Sequence, residues 1–278
     1  MKWQRGYQSS NVEDRRGSGG GRMPRGRLGL GAIVLLLILS VVFKRDFLSL
    51  AGGMAGDAPT AGGTGEVVST PAEDSTKQFV SFVLDDAQQT WAAIFASNNV
   101  TYTDARLILF RDGVQSACGF AESATGPFYC PGDSQVYIDL GFYDELRERF
   151  GAPGDFAEAY VLAHEIGHHV QRLTGAEAEV RRAQQRDPAR ANQYSVALEL
   201  QADCYAGVWA SSAQSRGLLE VGDVEEGLGA AAAVGDDRIQ RMGGGYVNPD
   251  AFTHGSAADR TAWFTRGLKS GDPGSCEM

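Results

Sequence analysis

Histidine is scarce in this chain, with four residues in 278. Cysteine is equally rare: four residues, no C-x-x-C pair, and spacings that do not suggest a cysteine-held zinc site. No internal repeat occurs, so one sizeable domain with extra segments is expected. Positive charge is depleted from most of the chain. Residues 1–45 carry nine Lys/Arg against two acids, and the overall charge of −10 leaves −17 for residues 46–278. That asymmetry argues against nucleic-acid binding by the main body.

Three of the four histidines fall in one hexapeptide, His164-Glu165-Ile166-Gly167-His168-His169. On a helix, positions i and i+4 share a face, so His164 and His168 can reach one metal ion. Glu165 then lies beside that ion, suited to take a proton from its water. The flanks support a helix. Pro153 and Gly154 break the chain, Asp155 and Glu158 form an acidic version of the capping box, and Gly175 is a natural C-cap. Phe156, Tyr160, Val161, Ile166, Val170 and Leu173 give it an apolar surface at helical spacing.

Two imidazoles leave zinc incomplete, since catalytic sites take three protein ligands and keep a fourth position open. The best third ligand is Glu199, in a predicted helix over 188–214. Asp203, at i+4 from Glu199, would accept the free ring N–H of a ligand histidine, most simply His164. The alternative for this acidic pair is a solvated face. Ala206 and Gly207, one turn on, are small enough for a second helix to approach closely.

Glu199-x-x-Ala202-Asp203 after His164-Glu165-x-x-His168 resembles the gluzincin peptidases. More closely, the chain resembles the bacterial neutral zinc metallopeptidases, a membrane-anchored family. The resemblance covers Met1-Lys-Trp-Gln, residues 11–17, Ser116-Ala-Cys-Gly, residues 126–131, 136–140 and 199–207, and Phe252-Thr-His-Gly. It implies a Zn²⁺ site, a peptide or protein substrate, and a sheet edge lining a cleft above the metal. It also points to His254, which matches in order and type the oxyanion donor that gluzincins place after the third ligand. The alternative is a structural loop histidine. Arg260 resembles an arginine that follows a comparable histidine motif in related membrane peptidases, either pairing with Asp203 or bracing the loop. His169 points about 100° away from His168 and reads as structural or as support for the site. Tyr160, one turn before His164, reads as packing beneath it.

Residues 28–43 form an uncharged run, closed by Lys44 and Arg45. As a helix, sixteen residues span roughly 24 Å, short of a ~30 Å hydrocarbon core, a gap that snorkelling of Arg27 and Lys44 can cover. An uncleaved anchor is expected, with a signal peptide cleaved between Ala51 and Ala55 as the rival. The arginines before the run predict a cytoplasmic N-terminus and an extracytoplasmic catalytic domain. Cys118 and Cys130 bracket a short Gly/Pro-containing segment that a disulfide would close in an exported domain. Whether Cys204 and Cys276 pair stays open.

The expected organisation is a basic cytoplasmic segment 1–27, an anchor 28–45, a Gly/Ala-rich linker 46–74 and a catalytic domain 75–278. Strands are expected at 106–110 and 135–139, with another near 113–117. Helices are expected at 80–97, 143–150, 156–173, 188–214, 223–241 and 257–268. The fold class is α+β, mostly helical and zincin-like with a small sheet. The reading is a membrane-anchored zinc endopeptidase, His164, His168 and Glu199 holding zinc and Glu165 acting as base. A zinc-stabilised scaffold without turnover and a zinc hydrolase of a non-peptide bond are the alternatives. The sequence does not indicate the oligomeric state.

Overall fold

The structure, a computed structural model, describes residues 1–17 and 69–278. The expected anchor 28–45 lies outside the described residues, as does most of the expected linker. No described helix is long and apolar enough to cross a membrane.

Strand β1 is Val12–Asp14, from the very segment expected to stand apart as a cytoplasmic tail. In the structure residues 1–17 pack against the main domain. Helix α1, Pro71–Ser97, begins earlier than the expected domain start. Its start is a full capping box: Thr70 accepts from the Glu73 amide, and Glu73 accepts from the Thr70 amide. Thr70-Pro71-x-Glu73 reads as the tail of the linker only because the residues before it are Gly- and Ala-rich. Phe79, Val83, Leu84, Ala87 and Trp91 are the buried face of α1.

Strands β2 (Arg106–Phe110), β3 (Gly113–Ser116), β4 (Gly119–Glu122), β5 (Phe128–Cys130) and β6 (Gln135–Asp139) follow. The main sheet has the order β1-β2-β6-β5, with β3 and β4 forming a separate hairpin. β1, β2 and β6 run parallel, and β5 is an antiparallel edge. Leu107, Leu109, Val136 and Ile138 alternate into the main core, whereas Ile108, Phe110 and Tyr137 face a second cluster with Val114 and Cys130. The central strands are therefore covered on both faces, which accounts for their continuous apolar runs. A disulfide joins Cys118, after β3, to Cys130 of β5.

The helical layer comprises α2 (Gly141–Glu148), α3 (Asp155–Thr174), α4 (Ala176–Arg186), α5 (Ala191–Ser215), α6 (Asp223–Ala233), α7 (Asp236–Met242) and α8 (Ala257–Ser270). α4 escapes sequence reading because only Val180 is buried, leaving no apolar stripe. The single helix expected at 223–241 is two. The chain breaks at Gly235, where a Cβ would stand 2.4 Å from the Ala257 amide nitrogen. The passage against the start of α8 forces both the break and the glycine.

α3 lies at the centre, against α1, α5 and α6. Its N-terminus differs from the expected capping box. Gly154 (φ +117°) is the cap, and Asp155 opens the helix without capping it. The Phe156 amide instead donates to Glu226, and Asp155 pairs with the Met1 amine. Gly175 (φ +86°) ends the helix in the left-handed region, as its C-cap role requires.

α5 and α8 meet backbone to backbone. A Cβ on Gly207 would lie 2.1 Å from the Phe264 carbonyl oxygen, and one on Gly267 would lie 1.9 Å from that of Cys204. The Cys204–Cys276 disulfide ties α5 to the turn that follows α8. Gly267→Ala is therefore expected to destabilise the protein by at least the ~1–3 kcal/mol of an overpacked core. A denaturant midpoint unchanged from wild type would show that the two helices part freely and that their contact is not a constraint.

Candidate metal centre

His164 and His168 project from the middle of α3, with ring centroids 4.8 Å apart. Glu199, on α5, meets both: its Oε2 lies 3.2 Å from His164 Nε2, and its Oε1 lies 3.4 Å from His168 Nε2. One donor atom from each of the three residues falls within 4.8 Å of the others. Four-coordinate zinc with N and O ligands at about 2.0–2.2 Å has ligand–ligand edges of about 3.3 Å. The two carboxylate–imidazole separations fit that tetrahedron, and the donor chemistry fits zinc. The structure thus brings together the three residues read as ligands.

The Nδ1 of each imidazole faces away from this point and is held. His164 Nδ1–H donates to Asp203 Oδ1 at 2.8 Å. Asp203 is fully buried and accepts further from Arg260, Nε at 2.8 Å and Nη2 at 2.9 Å, and from the Tyr160 hydroxyl. Arg260 Nη2 also approaches His164 Nδ1 to 3.3 Å. Both would be donors there, so the shared acceptor is Asp203. The Arg260 guanidinium finishes on the Val234 carbonyl, 3.3 Å away. His168 Nδ1–H donates to Gln171 Oε1 at 2.9 Å, and Gln171 is tied to the Leu198 carbonyl and to Gln201. Gln171 escapes sequence reading. Its only signal is its place three residues after His168, on the same helical face.

These contacts set the charge states. Burial pushes the His164 imidazole down, but Asp203 and Glu199 more than offset it and hold its pKa at about 9. His168 is likewise depressed by burial and lifted, on balance upward, by Glu199. Burial would raise Glu199, yet His168 and His164 bring it well below the usual carboxylate range. Asp203 is lowered against its burial by Arg260 and His164. Carboxylates that hold protons this firmly on two imidazoles would stabilise a cation in place of those protons.

A cleft of about 700 Å³ opens beside the three donors. Glu165 lines it, as do Tyr129 of β5, Phe142, Phe150, Ile239 and His254. β5 is the sheet edge beside the cleft. His254 stands on the loop before α8, its side chain half exposed, with Nδ1 3.3 Å from Asp236 Oδ1. The other Asp236 oxygen accepts the amides of Thr253, His254 and Gly255. This carboxylate thus shapes the loop and raises the pKa of His254. Asp236, too, escapes sequence reading, because its partners are 17–19 residues distant. His169 lies on a different side of α3. It is fully buried, donates from Nε2 to the Thr103 carbonyl at 2.6 Å and accepts the Tyr129 hydroxyl at 2.9 Å. Burial lowers its pKa, consistent with this neutral tautomer. It ties the metal helix to the cleft strand and takes no part in the donor set. Tyr160 is buried under His164, and its hydroxyl serves Asp203.

A family model described as "Putative neutral zinc metallopeptidase" matches residues 1–278. The chain is 46% identical over 285 residues to "Uncharacterized protein YpfJ" of Escherichia coli strain K12, covering 99% of this chain and 98% of that relative. It is 49% identical over 187 residues to "Uncharacterized protein Rv2575" of Mycobacterium tuberculosis strain H37Rv, covering 63% of this chain and 62% of that protein. No solved structure matches.

The Asp203–Arg260 pair predicts two separable losses. Arg260→Leu strands a buried carboxylate and is expected to cost about 3–5 kcal/mol of stability. Asp203→Asn keeps an acceptor for His164 but loses the charge, and is expected to weaken zinc binding about 10–100-fold. Denaturant titration and competition with a chelating dye read the two effects. Wild-type zinc affinity in Asp203→Asn would remove Asp203 from the metal's support.

Proposed function

The chain belongs to the neutral zinc metallopeptidase family, and we propose that it is a zinc-dependent peptidase whose general base is Glu165. The observation that carries this reading is the three-donor set of His164, His168 and Glu199 opening on a cleft that Glu165 also lines. A purely structural zinc site is closed by four protein ligands and needs no carboxylate beside an open face. Zinc, when bound, would supply Lewis-acid polarisation of the scissile carbonyl and a water of lowered pKa.

The chain's own residues supply the rest. Glu165 accepts the proton of the attacking water and returns it to the leaving amine. The antiparallel edge of β5 offers unpaired backbone groups to an extended peptide, the mode by which strands capture substrates. His254, whose pKa the contact with Asp236 raises, supplies a donor toward the developing oxyanion. Asp203 and Gln171 fix the tautomers of His164 and His168, so that both Nε2 lone pairs face the ion. The two disulfides, Cys118–Cys130 and Cys204–Cys276, suit an oxidising compartment, which supports an extracytoplasmic peptidase.

Glu165→Gln keeps size and hydrogen-bonding capacity but loses basicity. Zinc content is expected to stay near one per chain, while peptide hydrolysis falls by ~10²–10⁴-fold. A variant that cleaves a peptide library as fast as wild type would show that Glu165 is not the base. Loss of zinc on replacing Glu199 by Ala is the companion expectation, measured by elemental analysis.

His254 gives a pH test. Its contact with Asp236 raises its pKa above that of an ordinary histidine, although burial opposes this. The imidazolium therefore persists to higher pH in the native state. Its stabilising effect is full below the unfolded value of ~6.5 and is lost as pH rises through the folded one. If His254 acts as a charged donor, the alkaline limb of kcat/KM follows its deprotonation. Asp236→Asn is expected to move that limb to lower pH. A limb that stays in place would exclude His254 from the reaction.

A further inference from the structure

Two hydrogen-bond chains lead away from the donor set. Both end on the segment that runs from α8 into the turn Pro273–Cys276. From His164 the chain passes through Asp203 to Arg260 of α8. From His168 it passes through Gln171 and Gln201 to the backbone carbonyl of Cys276. Gln171 and Cys276 have no exposed surface, and Gln201 is 5% exposed.

The sense of the second chain is fixed at its far end. A carbonyl oxygen only accepts. Gln201 therefore turns its Nε2 to the Cys276 oxygen, 3.1 Å away, and its Oε1 to Gln171. Gln171 Nε2 commits its two hydrogens to Gln201 Oε1 at 3.0 Å and to the Leu198 carbonyl at 2.6 Å. Gln171 Oε1 is left for His168 Nδ1 at 2.9 Å, and that nitrogen must carry the proton. The Nε2 lone pair of His168 is thereby free on the Glu199 side. Reversing Gln201 would set nitrogen against nitrogen at Gln171 and oxygen against oxygen at Cys276. In a buried site both mismatches would go uncompensated.

Cys276 is held to α5 at two points. Gln201 and Cys204 lie three residues apart on that helix and so share a face. Gln201 takes the Cys276 carbonyl, and Cys204 takes its sulfur. The disulfide joins positions 72 residues apart in the sequence. Without it, the carbonyl would be kept in place by its hydrogen bond to Gln201 and by packing alone.

We infer that Gln201, the Cys276 carbonyl and the Cys204–Cys276 disulfide position His168 for the metal, so that zinc affinity depends on a disulfide outside the donor set. The inference rests on the reading of His168 as a zinc ligand. Gln201 is a positioning residue, acting on the imidazole through Gln171. A ring that can turn must be ordered when the ion binds, and that cost lowers affinity.

The test measures the zinc affinity of the full chain by competition with a chelating dye. Gln201→Met keeps an unbranched side chain of similar size and removes the amide. It is expected to weaken zinc binding about 10-fold, the lower end of the range for partners of metal ligands. Cys204→Ala/Cys276→Ala is expected to weaken it to a similar degree. Both changes act through one contact, so the three substitutions together are expected to weaken binding no further than the larger single effect. Effects that add in full would mean two independent disturbances and would overturn the relay. Removal of the other disulfide, Cys118→Ala/Cys130→Ala, is expected to leave zinc affinity at the wild-type value. An equal loss there would show general loosening of the fold and would overturn it as well. In zinc-loaded wild type, the His168 Nδ1 proton is expected to give a slowly exchanging imidazole signal by NMR, and to exchange faster in Gln201→Met. Wild-type affinity in either Gln201→Met or Cys204→Ala/Cys276→Ala would overturn the proposal, and each variant is read without the other if one does not fold. A wild-type chain that binds no zinc, or full affinity in His168→Ala, would overturn the zinc reading of the site and this proposal with it.

Discussion

Everything at the metal centre leans on one buried carboxylate. Asp203, on α5, has no exposed surface and gathers four donors from two other helices: His164 and Tyr160 of α3, and two nitrogens of Arg260 of α8. An unpaired carboxylate at this depth would cost several kcal/mol, so the three helices can pack only in the arrangement that satisfies it. That arrangement also fixes which nitrogen of His164 faces the cleft, since Nδ1 is committed to Asp203. Glu199, one turn before Asp203, is thereby carried to the Nε2 side. The ligand geometry follows from the position of a residue that touches no ligand atom facing the cleft.

α3 satisfies several constraints along adjacent positions, which is why its sequence is so dense. His164 and His168 face Glu199. Gly167, between them, is held to glycine because a Cβ would stand 2.9 Å from the Ala202 carbonyl oxygen. His169 turns away to join Thr103 and Tyr129. Through Tyr129 the position of β5 is referred to the same helix that carries the imidazoles. The height of the cleft strand above the donors is thus set by a neutral histidine and not by the fold of the sheet alone.

Much of this is legible in the amino-acid sequence. His164-x-x-x-His168 and Glu199-x-x-x-Asp203 each fix two residues on one face, and helical periodicity carries that information locally. The core strands 106–110 and 135–139 are legible too, being continuous apolar runs between turn residues. What escapes is non-local or polar. β1 gains its strand character only from pairing with β2, ninety-odd residues on, and Val12-Glu13-Asp14 has no periodicity of its own. α4 fully buries only one side chain, Val180. Gln171 and Asp236 act through hydrogen bonds alone, and a glutamine or aspartate in isolation gives no sign of its partners. The break at Gly235 is imposed by α8, not by the residues around it. Local pattern picks out the candidate ligands, whereas the residues that orient them become visible only once distant segments are brought together.

The charges at the centre argue for what it is built to hold. Three carboxylates, Glu165, Glu199 and Asp203, stand against the single guanidinium of Arg260 at the inner end of the cleft. The excess is two negative charges in a largely buried site. That excess raises the affinity of His164 and His168 for protons, two imidazoles on which burial acts in the opposite direction. Two protons on two imidazoles and one dication between them are electrostatically equivalent answers to the same field. Only the second leaves both Nε2 lone pairs available as donors, and only the second reconciles the 3.2 and 3.4 Å spacings with neutral histidines. A monovalent ion would leave the buried charge half compensated. A divalent ion favouring nitrogen and oxygen donors in a small tetrahedron meets charge, spacing and donor type together, and zinc is the common ion with those preferences.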